Sequence, residues 1–263
     1  MPDAIVDSYA HVGNQWYEPV ETLLYVMDAN DVERAVLLQY TGQFDNAYLL
    51  GCARKWPDRL AAVPAIDPAS PGWRPVLDAL VEQGARGIRL HPASRCATGD
   101  PLDIWRAAGE RGLVISCLGT GEEFASAEFQ QVLAATGGAP VIVEHMGSKR
   151  KLSQSYTVED AQTVFAALLP HDNVLLQVHG LGENLPRRIP SADFPFTGTP
   201  DVLLAAAAAF PAGRLLWGSD FPSVLGREGY RNSFDQVRRV LHGADLDRIF
   251  AANARRLYFE GPR

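Results

Sequence analysis

Asp220 stands at the end of Arg214-Leu-Leu-Trp-Gly-Ser-Asp-Phe-Pro222, where a short apolar run gives way to a Gly-Ser pair, a carboxylate, an aromatic and a proline. The run has the character of a buried strand, and the residues after it stop that strand abruptly. A carboxylate buried at such a place is costly unless a partner compensates it. It is also able to take a proton from water, the first requirement of hydrolysis. Histidines recur in similar positions. His11, His91, His145 and His179, four of the six in the chain, each stand at or just past the end of an apolar run, and Tyr9 and Arg89 share those ends. Imidazoles bind metals, carry protons or polarise carbonyls, and a guanidinium fork suits a carboxylate or carbonyl oxygen. For Arg89 a structural ion pair with a carboxylate such as Asp67 is the competing role.

Eight short apolar or β-branched runs would position these groups: residues 4–7, 34–39, 60–66, 87–91, 113–118, 140–145, 173–178 and 214–219. Most begin roughly 25 to 33 residues apart, the period of a strand–helix unit. Helices are expected between them, over 21–30, over 158–169 behind a Thr157-x-x-Asp160 capping box, and over 201–210 behind Thr199-Pro200. The runs are apolar nearly throughout, as in parallel strands buried on both faces. The expected fold is α/β, a single distorted (β/α)8 TIM barrel forming one domain over 1–263, with a long loop after strand seven. An open doubly wound sheet is disfavoured, because no Gly-x-Gly-x-x-Gly follows the first run. Barrel chemistry gathers at the C-terminal ends of the strands, where all the residues above fall. The Pro- and Gly-rich stretch 180–199 lacks periodicity and is read as a substrate lid.

The chain has 263 residues, 47% hydrophobic and 21% charged, with a formal net charge of −7. That balance argues against nucleic acid as a bulk electrostatic partner. No apolar run approaches the roughly 20 residues of a membrane span, and the N-terminus has no basic or long apolar signal region, so a cytoplasmic location is expected. Three dispersed cysteines without a Cys-x-x-Cys pair imply neither a disulfide framework nor a structural zinc. Lys149, Arg150, Lys151, Arg187, Arg188, Arg227 and Arg231 follow strand ends, and a basic catalytic face would draw a small anionic substrate; a solvated charge run is the alternative.

Val6-Asp7-Ser8-Tyr9-Ala10-His11, Gly87-Ile88-Arg89-Leu90-His91-Pro92, Val143-Glu144-His145-Met146-Gly147 and Gly218-Ser219-Asp220-Phe221-Pro222, in this order, resemble the amidohydrolase-2 branch of the amidohydrolase superfamily, as do Asn253-Ala254 and Arg256-Leu257 near the end. The resemblance spans essentially the whole chain. It implies a distorted (β/α)8 barrel that performs hydrolysis, or decarboxylation of aromatic or unsaturated acids, often with zinc. Metal-dependent members open with His-x-His, whereas this chain has Tyr9-x-His11, and the stretch Val114 to Gly119 lacks the histidine they place after strand five. His11, His145 and Asp220 remain, a thin set for zinc, and the phenol of Tyr9 is mostly protonated near neutral pH. Cys117 is a conceivable soft ligand, although its neighbours place it toward the barrel wall.

The family's metal-independent lactonases fit this depleted set better. The resemblance then implies a hydrolase opening a lactone or related ester of a small acidic substrate, without cofactor or metal. Asp220 would be the general base, with His11 and His145 catalytic beside it, and Arg89, His91, Tyr9 and His179 binding substrate. Two alternatives stay open: Zn2+ held by His11, His145 and Asp220 in a hydrolase or non-oxidative decarboxylase, and a barrel that binds a ligand without turnover. A homo-oligomer is compatible with either.

Overall fold

The computed structural model describes residues 4–147, 156–178, 201–241 and 245–260. His179, the stretch 180–199 read as a lid, and the basic residues 149–151 and 187–188 lie outside the described residues. Eight strands are described: β1 Ile5–Ala10, β2 Val32–Leu38, β3 Leu60–Val63, β4 Gly87–Leu90, β5 Val114–Cys117, β6 Val141–Val143, β7 Val174–Val178 and β8 Leu215–Trp217. Helices alternate with them: α1 Val20–Asp28, α2 Ala47–Lys55, α3 Trp73–Glu82, α4 Asp103–Glu110, α5 Gly121–Ala125, α6 Ala127–Ala135, α7 Val158–Leu168, α8 Asp201–Ala209, α9 Tyr230–Val240 and α10 Asn253–Tyr258. The capping box expected at Thr157 is formed with Asp160 and opens α7.

All pairings are parallel, in the orders β1-β2-β3 and β4-β5-β6-β7-β8. Single bridges join the two sets at both seams, Ala65 with Arg89 and Ala10 with Phe221. At the first seam Arg89 N–H donates to Pro64 O at 2.8 Å; at the second, Asp220 N–H donates to Tyr9 O at 2.9 Å and His11 N–H to Phe221 O at 2.8 Å. The alternation read from the sequence thus folds as an α/β barrel of the TIM type.

The strands divide their side chains between two cores. Val6, Tyr9, Val36, Leu38, Ala61, Val63, Val114, Ile142, Leu175 and Leu216 pack together inside, joined by Ala251, Ala254 and Tyr258 from the C-terminal helical segment. The alternate positions, such as Ile88, Ile115, Cys117 and Val143, pack outward under the helices. Strict alternation would put Val6 and Tyr9 on opposite faces. A register shift between Asp7 and Ala10 on β1 changes the parity, so Tyr9 joins Val6 inside and His11 follows two residues on. Gly218 makes room for this: a Cβ there would lie 2.5 Å from the Tyr9 Cβ.

β1 runs three residues beyond the apolar pattern at 4–7 because its polar members are buried with partners. Asp7 accepts from Ser219 N–H at 2.8 Å, Ser219 Oγ at 2.6 Å, Tyr230 OH at 2.8 Å and Tyr9 N–H at 3.1 Å. Burial raises its carboxyl to about 6, with these donors offsetting part of the rise. Asp7 therefore ties β1 to β8 and α9 and is a structural carboxylate.

Candidate active site

The inward parity of three strands assembles the centre of the site. Arg89 on β4 is in register with Ser116 on β5, and Ser116 with Ile142 on β6, so Glu144, two residues past Ile142, faces the same interior. Arg89 donates to both Glu144 oxygens, Nε to Oε1 at 3.0 Å and Nη2 to Oε2 at 2.6 Å. Ser116 Oγ donates to Oε1 at 2.7 Å, and Tyr9 OH to Oε2 at 2.9 Å. Arg89 Nη2 also donates to the Tyr9 oxygen at 2.5 Å, and Nη1 to Gln39 O at 2.7 Å. The ion-pair partner of Arg89 is thus Glu144, not Asp67, whose carboxylate accepts from its own loop at Ala69 N–H. Burial by itself would raise the Glu144 carboxyl, but the Arg89 charge and hydrogen bonds outweigh it and hold that group below the usual range. Burial pushes the Tyr9 phenol far up, so it stays protonated.

His11 sits at the mouth of this network. Its Nδ1 is 2.8 Å from Leu38 O, an acceptor, which assigns the proton to Nδ1 and the lone pair to Nε2. Burial first, and the nearby Arg89 charge second, lower its pKa to about 3. His11 is therefore a neutral acceptor at Nε2, which faces Asp220 Oδ1 at 3.9 Å. The other Asp220 oxygen accepts from Arg227 Nη1 at 2.8 Å. Arg227 is itself buried, with Nε 3.3 Å from Glu228 Oε2, so it belongs to the site rather than to a solvated charge run. Arg231 instead pairs along the surface of α9 with Asp235. His145 Nε2 lies 3.3 Å from Tyr9 OH.

Three of the four non-glycine residues with positive φ among the described residues are at this site: His145 at 52°, Met146 at 53° and Asp220 at 60°. Left-handed backbone costs an L-residue about 1–2 kcal/mol, and its concentration here is what re-aims side chains at the strand ends.

Tyr9, His11, Arg89, His145 and Asp220, all expected at the site, are brought together. His91 lies on the rim, its Nδ1 accepting from Ala93 N–H at 3.2 Å and its Nε2 3.5 Å from Glu123 Oε2. Cys117 points outward into the helical core, as its neighbours suggested. Glu144, Ser116 and Gln39 carry parts of the site to which the sequence reading gave no role, and Arg227, expected to draw an anionic substrate, pairs with Asp220 instead. The signal for Glu144 was available, since a buried arginine and a strand-end glutamate each need a partner.

A parallel α/β barrel with a carboxylate, imidazoles and an arginine at the strand ends has the groups that proton-transfer chemistry requires. The chain matches the family described as Amidohydrolase over residues 8–259 and belongs to the amidohydrolase-2 family. Among solved structures it is similar to an Acinetobacter baumannii protein described as a probable 2-pyrone-4,6-dicarboxylic acid hydrolase with citric acid bound. The identity is 19%, with 98% of this chain and 99% of that one covered and a TM-score of 0.72. It is also similar to a Burkholderia multivorans amidohydrolase with bound zinc, at 18% identity, 97% and 99% coverage and a TM-score of 0.76. A 5-carboxyvanillate decarboxylase from Novosphingobium aromaticivorans with bound manganese is similar at 17% identity, 90% and 80% coverage and a TM-score of 0.50. At these identities the likeness establishes the fold. No curated protein matches the chain. No helix among the described residues is long and apolar enough to cross a membrane.

Among the described residues, the donors do not suit the zinc or manganese held by two of these relatives. Among the described residues no group of three His, Cys, Asp or Glu side chains could hold an ion. Both Glu144 oxygens are occupied by Arg89, Ser116 and Tyr9, and Asp220 Oδ2 by Arg227. At the first position of the expected His-x-His stands a protonated phenol with a guanidinium 2.5 Å away, which repels a cation.

Proposed function

We propose that this chain is a metal-independent hydrolase that opens a lactone, or cleaves a related ester, of a small acidic substrate. The observation that carries this reading is the pairing of two acceptors, Asp220 Oδ1 and His11 Nε2, at 3.9 Å. That separation is too long for a hydrogen bond between them and suits one water donating to both. Arg227, holding Oδ2, fixes the carboxylate so that Oδ1 is the oxygen turned toward His11. Asp220 takes a proton from the water as the water oxygen attacks the carbonyl carbon; the ring C–O bond then breaks, and the leaving alkoxide takes up the proton that Asp220 received. We assign donation to the carbonyl oxygen to His145, and its nearness to the Tyr9 hydroxyl supports that role. Arg89 acts through Tyr9 and Glu144 as a positioning residue. His91, on the rim, and His179 complete the proposed substrate-binding set.

A second reading, a zinc-dependent hydrolase or decarboxylase, has one observation behind it: a histidine anchored through Nδ1 to a carbonyl has the orientation of a metal ligand. The test is to assay lactones, 2-pyrone-4,6-dicarboxylate first, with Asp220→Asn and with chelator, alongside elemental analysis. The expected outcome is a loss of at least about a thousandfold in kcat for the variant, native circular dichroism, and activity indifferent to chelator. Near-native turnover of Asp220→Asn, or stoichiometric metal required for activity, would overturn the reading.

A further inference from the structure

The loops after β1 and β2 place a run of aromatic rings directly on the site. The Tyr17 ring stacks on His11 with centroids 5.1 Å apart and planes 11° apart. Tyr40 meets Tyr17 edge-on at 5.8 Å, and Trp16 lies 6.0 Å from Tyr40 at a tilt of 39°. The run thus leads from the imidazole beside Asp220 out to solvent. Trp16 is 76% exposed and Tyr40 44% exposed, the cost of which is unrewarded in the protein alone. Isolated exposed aromatics are ordinary on a protein surface, but contiguous ones opening from a catalytic histidine are not.

The loop under Tyr40 is also held in place. Gln39 Oε1 accepts from Tyr40 N–H at 2.9 Å, its Nε2 donates to Asp45 O at 2.6 Å, and its backbone oxygen receives Arg89 Nη1. Asn46 fixes the far end of the loop through two bonds to the backbone of Ala65, at 2.9 and 3.1 Å. A ring presented on a fixed loop loses little conformational freedom when a ligand stacks on it.

We infer that Trp16, Tyr17 and Tyr40 form a stacking wall that selects substrates with a flat, conjugated or aromatic portion next to the reacting carbonyl. The inference rests on the reading of this rim as the substrate site. Aromatic faces reward flat π-systems over puckered saturated rings of the same size and charge, because only the former bring their whole face into contact. The wall is thereby a determinant of specificity, separate from the groups that move protons.

The test compares two unreactive probes of equal charge, benzene-1,3-dicarboxylate and cyclohexane-1,3-dicarboxylate, by quenching of tryptophan fluorescence and by calorimetry. The flat probe is expected to bind about tenfold more tightly. Trp16→Ala and Tyr40→Ala should each remove most of that preference, whereas Tyr25→Ala, an exposed tyrosine on α1, should keep it. Equal affinities, no binding of either probe at millimolar concentration, or an equal loss for both probes in the variants would overturn the inference. A change of oligomeric state in Trp16→Ala with the preference intact would also overturn it, by assigning the patch to an interface between copies. A flat-probe preference in a protein that hydrolyses no lactone would sink the proposed reaction alone; lactone hydrolysis without the preference would sink the wall alone.

Discussion

Replacing Arg89 by methionine and Glu144 by glutamine, singly and together, tests the electrostatic reasoning behind the site. Arg89→Met deletes the two bonds to Glu144 at 3.0 and 2.6 Å and those to Tyr9 and Gln39 O, leaving a buried carboxylate with only Ser116 and Tyr9 as donors. Removing one partner of a buried pair costs about 3–5 kcal/mol, because the remaining charge is left without compensation. Glu144→Gln strands the guanidinium for the same reason. Simple addition would put the double variant at about 6–10 kcal/mol, but it buries no charge, so its cost should fall near that of one single variant. The coupling is therefore about 3–5 kcal/mol, readable from urea unfolding followed by circular dichroism.

The same pair fixes a sign in pH. In the native protein Glu144 lies below 4.5, so its contribution is complete above that unfolded value and lost as pH falls through the lower folded value. In Arg89→Met burial acts without the opposing cation and raises the carboxyl above 4.5, so this variant gains stability as pH falls toward that value. The gap between the two proteins must narrow on acidification. Additive single variants, or a gap that widens as pH falls, would refute the account.

Asp7 gives a second titration of opposite sense. Its folded value of about 6 against 3.8 makes stability decline as pH rises between those values, by about 3 kcal/mol in all. Asp7→Asn should abolish that slope and stay within about 1 kcal/mol of the native protein at neutral pH, while Asp7→Ala, which orphans four donors, should cost about 2–4 kcal/mol; unfolding midpoints across pH decide it. His11, lowered from 6.5 to about 3, makes the native protein lose stability as pH falls through that window, because the unfolded chain binds the proton first. His11→Asn should flatten the decline, and an unchanged pH profile would show that the histidine is not buried neutral.

The barrel was legible because the strands are mostly apolar on both faces, and the period of those runs survives without any knowledge of contacts. The strand-end positions followed from the architecture, which is why Tyr9, His11, Arg89, His145 and Asp220 could be grouped before their geometry was known. The pairing was not legible. Arg89 meets Glu144 rather than Asp67 because β4, β5 and β6 are in register through Ser116 and Ile142, and register between parallel strands leaves no local mark in the chain. The inward turn of Tyr9 depends on a shift in β1 that its pattern hides, since Asp7 and Ser8 look like the end of a strand and are buried instead. Arg227 looked like one of a cluster of surface cations, and only the turn after β8 folds it back onto Asp220.

These pairings bear on what the site can attract. Arg89 is matched by Glu144, Arg227 is shared between Asp220 and the buried Glu228, and His11 is neutral. With three carboxylates against two guanidiniums these groups exert no net pull on an anion, and the cations are already committed to carboxylates at 2.6 and 2.8 Å. For the small acidic substrate proposed, charge recognition would fall to other cations, and the sequence offers Lys149, Arg150, Lys151, Arg187 and Arg188 as candidates. The proposed mechanism would separate two tasks that a metal ion would combine. Fixed internal ion pairs would hold the water-activating carboxylate and the donor beside the carbonyl, while recognition of substrate charge would be left to residues that can vary without disturbing the chemistry.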